Sequence, residues 1–521
     1  MPKQKTDDLI QLINSLTRAE KRHFRLFVRR NQSSEEILFL QLFDVLDKYK
    51  EYDESLILKR LPAIKKSQLS NLKAHLYKQL LTSLRLVNKK RNEDIQIREM
   101  IDYAAVLYNK GLYRQSLDVL DKAKGRAEKG KFYASNLEII EFEKLLESQY
   151  VTNSIENRSE TLTEESRKLN QIISQNILIS NLCLKLYGLY LKIGYVRSKR
   201  DYEVVKSFFQ TNLPKINYLE LDFWGKIYYC QSFVWYYHMT QEFPMSYRYS
   251  QKWVDLFDEN PKMKIINAPT YLKGIHLLLS SLFYTLQHEK FLKTLDMLYR
   301  FPKQYDMGED RNIEGLFHLY RFIHGIQRHY LEGTFSKGLE LVPELNQMIE
   351  NDEFNWDNHR VLVFYYRIAC LYFGSGDNGN AIHYLNLIIN QKNPNYREDI
   401  QCFARILNLI AHFELGNSQL VEYQVKSVYR FLAKMEDLHA VQLEIFRFLR
   451  KTPTIRESEV KNEFIRLRGK LVHLENDPFQ RRPFLYLDII SWLESKIDNK
   501  EIQLIIREKF LQRQKASHGK K

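Results

Sequence analysis

Apolar residues recur along this chain at helical spacing. Phe403, Ile406, Ile410 and Phe413 step by 3, 4 and 3 residues, and Val421, Val425, Val428 and Leu432 by 4, 3 and 4. Such steps keep side chains on one face of a 3.6-residue helix, so each set predicts an amphipathic helix with a buried stripe. Leu69, Leu72, Leu76 and Leu80 form another set, and Val460, Phe464, Leu467, Leu471 and Leu474 a fourth. The segment VLVFYYRIACLYF before Gly374 is apolar enough for a buried strand, but its length favours a helix.

Glycines punctuate these stripes in a fixed frame. Ala369 lies seven residues before Gly376, and Ala381, Leu385 and Ile388 lie five, nine and twelve after it. Around Gly111 the same places hold Ala104, Ser116, Leu120 and Ala123. After Gly333 they hold Gly338, Val342 and Leu345, and after Gly416 Val421, Val425 and Val428. Gly333, Gly376 and Gly416 are 43 and 40 residues apart, and the 222 residues between Gly111 and Gly333 divide into five steps of about 44. Weaker turns are expected near Asp201, Glu242 and Glu289, with the polar run TNSIENRSE near Ile155 filling the remaining place.

This frame resembles the tetratricopeptide repeat, in which small residues let two antiparallel helices approach and a glycine closes their turn. The resemblance covers residues 96–435 and implies an all-α fold, a right-handed α-solenoid of about eight helix pairs with helical N- and C-terminal caps. The period exceeds the ~34 residues of the standard unit, which implies longer helices. Three residues before each turn glycine stand Tyr108, Tyr330, Phe373 and Phe413. The resemblance places this recurring aromatic toward the concave face, as a candidate partner groove, whereas helical spacing by itself suits rings packed between repeats.

Gly374, Gly376 and Gly379 also spell G-x-G-x-x-G, but a dinucleotide site needs a strand before the first glycine, and here a helix is expected. Gly333 and Gly338 have phosphate-loop spacing, yet Leu339 and Glu340 stand where Lys and Ser or Thr are needed. His318, His324 and His329 are spaced 6 and 5 apart, on different helix faces, and read as surface or core histidines. Cys183, Cys230, Cys370 and Cys402 are scattered, which suggests neither disulfides nor zinc and fits a reducing compartment. No catalytic residue, metal or cofactor is therefore expected.

With 33 Tyr and 30 Phe against 18 Gly and 12 Pro in 521 residues, long helices are favoured over a turn-rich or disordered chain. The start, MPKQKTDDLIQLINSL, lacks the features of a secretory signal. The most apolar window, Tyr271 to Leu286, carries Lys273 and His276 and is shorter than the ~20 residues of a spanning helix. A cytoplasmic protein without membrane insertion is expected. Its net charge of +15 favours acidic partners.

Residues 1–95 carry 20 Lys and Arg against 12 Asp and Glu, hence +8, and form a basic helical N-terminal module. Thr17 and Glu20 make a capping box that opens a helix with Arg18, Arg22, Arg25 and Arg29 on one stripe. A later helix of the module carries Lys73, Lys78 and Arg85. Its helix order loosely resembles a helix-turn-helix module, and a cap sealing the first repeat reads equally well. Residues 436–500 are expected as a C-terminal cap, where Asp477 and Pro478 open a helix, and 501–521 as a fraying basic tail. The segments LTRAEKRHFRLFV, FELGNSQLVEYQVKSVYRFL and PFLYLDIISWLESKI together resemble a family of bacterial helical-repeat proteins with no assigned activity.

Two functions fit. The leading one is a non-enzymatic cytosolic scaffold that takes a protein or peptide partner on its concave surface. The alternative is a nucleic-acid-binding regulator, in which Arg18, Arg22, Arg25, Arg29, Lys73, Lys78 and Arg85 contact nucleic acid or an acidic partner and the repeats act as a sensor.

Overall fold

The computed structural model describes residues 8–29, 34–49, 53–88, 92–149, 157–305, 310–391, 398–435, 439–451, 456–477, 479–481, 483–484 and 487–518. Among them the secondary structure is helical, without strands, and helices pack in sequence on their neighbours. Contact density divides the chain into two compact units, Met1–Ile173 and Ser174–Lys521.

The first unit begins with α1 (Asp8–Ser15), α2 (Arg18–Arg29), α3 (Ser34–Tyr49), α4 (Glu54–Arg60) and α5 (Lys66–Asn88). Their core includes Phe24, Leu42, Phe43, Leu76 and Leu80. The capping box forms as the sequence requires: Thr17 N–H donates to Glu20 Oε2 at 2.8 Å, and Glu20 N–H to Thr17 Oγ1 at 3.2 Å. Next come α6 (Glu93–Asn109), α7 (Tyr113–Gly130) and α8 (Tyr133–Gln149), with α7 packed on α6 and α8 on α7. Ala104, Leu120 and Ala123 are fully buried here, so the small residues sit where the two helices meet. The buried Glu143 receives Lys124 and Arg158, both at 3.0 Å. Helix α9 (Arg158–Ile193) runs across the division between the units. The turn expected near Ile155 falls in 150–156, outside the described residues.

In the second unit hairpins follow one another. They comprise α10 (Lys199–Asn212), α11 (Phe223–Met239), α12 (Phe243–Glu259), α13 (Pro261–Ile266), α14 (Ala268–Tyr284) and α15 (His288–Gln304). Then come α16 (Arg311–Glu332), α17 (Phe335–Gly338), α18 (Val342–Glu350), α19 (Asn358–Ser375) and α20 (Asn378–Ile389). The last are α21 (Glu398–Glu414), α22 (Ser418–Lys434), α23 (Ala440–Lys451), α24 (Glu457–Glu475), α25 (Ile489–Asp498) and α26 (Ile502–His518). One continuous core runs from Phe223 to Ile506.

The turns repeat in detail. Gly111, Gly333, Gly376 and Gly416 all take the left-handed conformation, and the next helix starts two residues later. Gln241 and Leu286 adopt the same conformation at the same place, with φ of 60° and 55°. After Gly376, Asp377 N–H reaches back to Tyr372 O at 2.9 Å; Glu242 N–H reaches Tyr237 O at 2.8 Å, and Gln287 N–H reaches Leu282 O at 3.0 Å. The left-handed residues 241, 286, 333, 376 and 416 thus mark steps of 45, 47, 43 and 40. Gly374 belongs to α19, Gly376 ends it, and Gly379 opens α20, so the G-x-G-x-x-G glycines close a helical hairpin. Gly374 also lies against the Phe335 ring, where a Cβ would come within 2.2 Å of Cδ1.

Two terminal expectations change. Asp477 Oδ1 accepts the Phe479 N–H at 2.8 Å, but a turn follows at 479–480, and Pro478 lies outside the described residues. The stretch expected to fray is instead helical through His518. Counting charge from Arg507 onward overlooks the apolar residues that open this helix: Ile505, Ile506 and Phe510 are buried, and α26 packs on α16 and α19.

The end of α16 joins this helix to the repeats. Glu332 Oε1 accepts His288 Nε2 and Arg328 Nε, each at 3.0 Å, and its backbone oxygen accepts Arg507 Nη1 at 3.1 Å. Burial raises the Glu332 pKa, but the hydrogen bonds from His288 and Arg328 outweigh it and hold the group at about 2, against an ordinary 4.5. A lowered folded-state pKa contributes stability above the ordinary value that is lost as pH falls toward the folded one. The denaturation midpoint of the parent should therefore exceed that of Glu332→Gln at pH 6, and the gap should close between pH 4.5 and 2. A gap that stays constant over that range contradicts this assignment.

By length and composition α9 is long and apolar enough to cross a membrane, with a mean hydropathy of 1.2 over 18 residues. Part of that apolar content serves the protein core, since Leu182, Cys183 and Leu186 pack with Val205 and Phe209. The apolar window 271–286 lies mostly in the largely buried α14.

Candidate functional site

The second unit holds a partly open cavity of about 1590 Å³. The first helices of successive hairpins, α11, α14, α16 and α19, form its wall, joined by the end of α9. Residues from Glu475 to Arg513, including Ile502, Ile506 and Lys509 of α26, line the rest. The C-terminal segment is fastened at several points. Gln503 Oε1 accepts Ser336 Oγ at 3.0 Å, Lys509 pairs with Glu494 at 2.6 Å, and Arg481 donates to Gln241 through Nε at 3.1 Å and also to its backbone oxygen.

The recurring aromatic divides between two environments. Tyr330 and Phe373 line the cavity, Tyr330 stacking on Phe335 and donating its hydroxyl to Arg367 O at 2.5 Å. Tyr108 belongs to the first unit, where it packs on Phe142 and donates to Gln149 Oε1 at 2.8 Å. Phe413 sits among Phe448, Phe464 and Trp492 and does not line the cavity. The structure adds His238 and Phe283, which stand three residues before the left-handed Gln241 and Leu286 and also line the cavity. They are hidden in the sequence because their turns lack glycine.

Rings crowd one end of the cavity. Tyr187 and Tyr190 lie 5.3 and 5.2 Å from Trp235, and Tyr195 Oη is 3.0 Å from His238 Nε2. Burial lowers the His238 pKa to about 4, so this imidazole is neutral at physiological pH. Also on the wall, His276 stacks on Tyr320 at 4.3 Å and meets His324 at 2.8 Å, which in turn contacts Gln327 Oε1 at 2.7 Å. Burial, reinforced by nearby cations, pushes His276 down to about 3, and burial first and then His276 push His324 well down. With both neutral, His324 donates through Nδ1 to Gln327, and its Nε2 accepts from His276 Nδ1.

Beside this pair lie Lys273 on α14 and Arg360 and Arg367 on α19, all lining the cavity. The sequence flagged Lys273 and His276 only as interruptions of an apolar window. That interruption was the one visible signal of a cationic wall.

The histidines spaced 6 and 5 apart do separate, with His324 paired to His276 and His329 Nδ1 2.8 Å from Thr334 Oγ1. Among the described residues no three His, Cys, Asp or Glu side chains gather as metal ligands would. The four cysteines are free and buried, and burial pushes Cys183, Cys230 and Cys370 up to about 12, leaving the thiols protonated.

The basic stripe of α2 is partly neutralised. Arg18, Arg22 and Arg29 are exposed, but Arg25 reaches Asp44 and Asp47, both at 2.9 Å, and Lys21 reaches Asp47 at 2.6 Å. On α5, Lys78 is exposed, Lys73 is half-buried, and Arg85 pairs with Asp102 at 3.0 Å.

No family model, curated protein or solved structure matches the chain. The tetratricopeptide resemblance therefore rests on the residues and turns described above.

Proposed function

We propose that this chain is a non-enzymatic helical-repeat binding protein of the cytoplasm that holds a peptide segment of a partner protein in the cavity of its second unit. The hairpins are read as turns of a right-handed α-solenoid of tetratricopeptide type, with the first helices of the hairpins on the concave side. The observation that carries this reading is the cavity wall itself: ring residues His238, Phe283, Tyr330 and Phe373 recur there at one position of the repeat. A volume near 1590 Å³ exceeds the ~300–1,000 Å³ of usual small-ligand pockets and suits a longer, extended ligand. Four buried free thiols accord with a reducing compartment.

The nucleic-acid reading draws on the exposed Arg18, Arg22 and Arg29 of α2. It has less support, because Arg25 and Arg85 are turned onto carboxylates of the chain itself.

The test is retention of amidated random decapeptides by the full-length protein in ultrafiltration, with the retained peptides read by mass spectrometry. Val363 lines the cavity, so Val363→Trp should set an indole in the path of an extended ligand, leave the melting temperature unchanged and reduce retention at least about tenfold. Equal retention by the variant, or none by the parent, sinks the reading.

A further inference from the structure

Lys273, Arg360 and Arg367 line the cavity together with the acids Asp357, Glu475 and Asp488, of which Glu475 neighbours Lys509 and Arg468, and Asp488 neighbours Arg513, rather than these three cations. Lys273 makes no hydrogen bond or ion pair among the described residues, although it is half-buried in the most apolar helix of the unit. Arg367 Nε is buried with no hydrogen-bond partner among the described residues. Among the described residues Arg360 pairs with Asp357 alone, at 3.5 Å, on the same cavity wall. All three are electrostatic neighbours of His276, which places them around one point of the wall. The imidazoles there are neutral and add no further positive charge.

Holding cations in a partly desolvated wall without acceptors opposes folding, since a buried charge is tolerated when it is paired and hydrogen-bonded. Burial accordingly depresses the Lys273 pKa. Unfavourable arrangements of this kind collect where a ligand offsets the cost on binding. We propose that Lys273, Arg360 and Arg367 form a subsite for a phosphate monoester carried by the cavity's ligand. Two unpaired cations match a group bearing about −1.5 to −2 charges and three acceptor oxygens, whereas a single carboxylate leaves one cation unpaired. The arginine fork takes two oxygens and the lysine ammonium the third. Resting on the peptide reading above, the ligand is a phosphopeptide. A nucleotide would present the same group, with its base against the rings around Trp235.

The experiment uses the full-length protein with decapeptide libraries that carry a central phosphoserine or phosphotyrosine, and their unphosphorylated twins. AMP, GMP and inorganic phosphate serve as separate arms read by thermal shift. The phosphorylated libraries should be retained at least about tenfold better than their twins, and Lys273→Met with Arg367→Met should abolish that preference. The double variant should melt at or above the parent temperature, since it removes uncompensated charge, whereas a structural role for these residues predicts a lower one. Lys273→Arg should keep the preference, which guards against a folding defect in the methionine variant. Should AMP or GMP alone stabilise the protein in a Lys273- and Arg367-dependent way, the subsite stands and the peptide reading falls. Retention of both libraries alike, with no response to nucleotide or phosphate, overturns the subsite and leaves the peptide reading intact. A preference that survives in the double variant overturns it as well.

Discussion

Gly333→Ala should destabilise the second unit by about 2–5 kcal/mol. Two effects combine. Gly333 ends α16 at φ of 66°, a left-handed conformation that costs an L-residue roughly 1–2 kcal/mol. A Cβ there would also stand 2.4 Å from the backbone nitrogen of Arg507 and 2.8 Å from Gln503 O. Those atoms belong to the backbone of α26, so the helix itself must shift, at the roughly 1–3 kcal/mol typical of overpacking. Gly416→Ala separates the terms: it has φ of 74° but nothing within 4 Å of the added carbon, and should cost only about 1–2 kcal/mol. Chemical denaturation of the two variants against the parent decides it. Equal losses would mean that α26 does not press on this turn.

Trp492→Ala should cost about 3–5 kcal/mol, the range for removing a large buried aromatic. The ring is fully buried, meets Phe464 edge-on at 5.9 Å, and donates from Nε1 to Glu414 Oε1 at 2.7 Å. Glu414 also receives Lys496, so the substitution removes one of two donors from a carboxylate that is only a tenth exposed. Trp492→Phe keeps most of the packing and loses the charge-assisted hydrogen bond, at about 1.5–3 kcal/mol. Denaturation midpoints that rank parent, Phe and Ala in falling order support both contributions. A phenylalanine variant as stable as the parent would assign the whole effect to packing.

The periodic stripes and the glycine turns were legible because both are local. Leu76 and Leu80, or Val421 and Val425, are buried for the reason their spacing gives, and Gly376 ends a helix because its backbone can reach φ of 91°. The turns expected near Glu242 and Glu289 form at Gln241 and Leu286, but they lack the glycine that fixes the exact register. Without a glycine to count back from, the ring positions His238 and Phe283 do not show in the sequence. Of the four aromatics that shared a register, Tyr330 and Phe373 reach the cavity, while Phe413 meets Phe448, Phe464 and Trp492, because α23 to α25 follow the last hairpin.

The helical class, the hairpin turns and the capping box at Thr17 and Glu20 are determined by the sequence itself, since each depends on residues within a few positions of one another. The cavity and the cations that line it were decided by tertiary structure alone. Lys273 and Arg367 are 94 residues apart in sequence and gather because hairpins stack, and α26 meets α16 although 175 residues separate Glu332 from Arg507. Helical spacing specifies which face of a helix is apolar. It carries no information about which distant helix will cover that face, because that choice depends on the summed geometry of every turn between them.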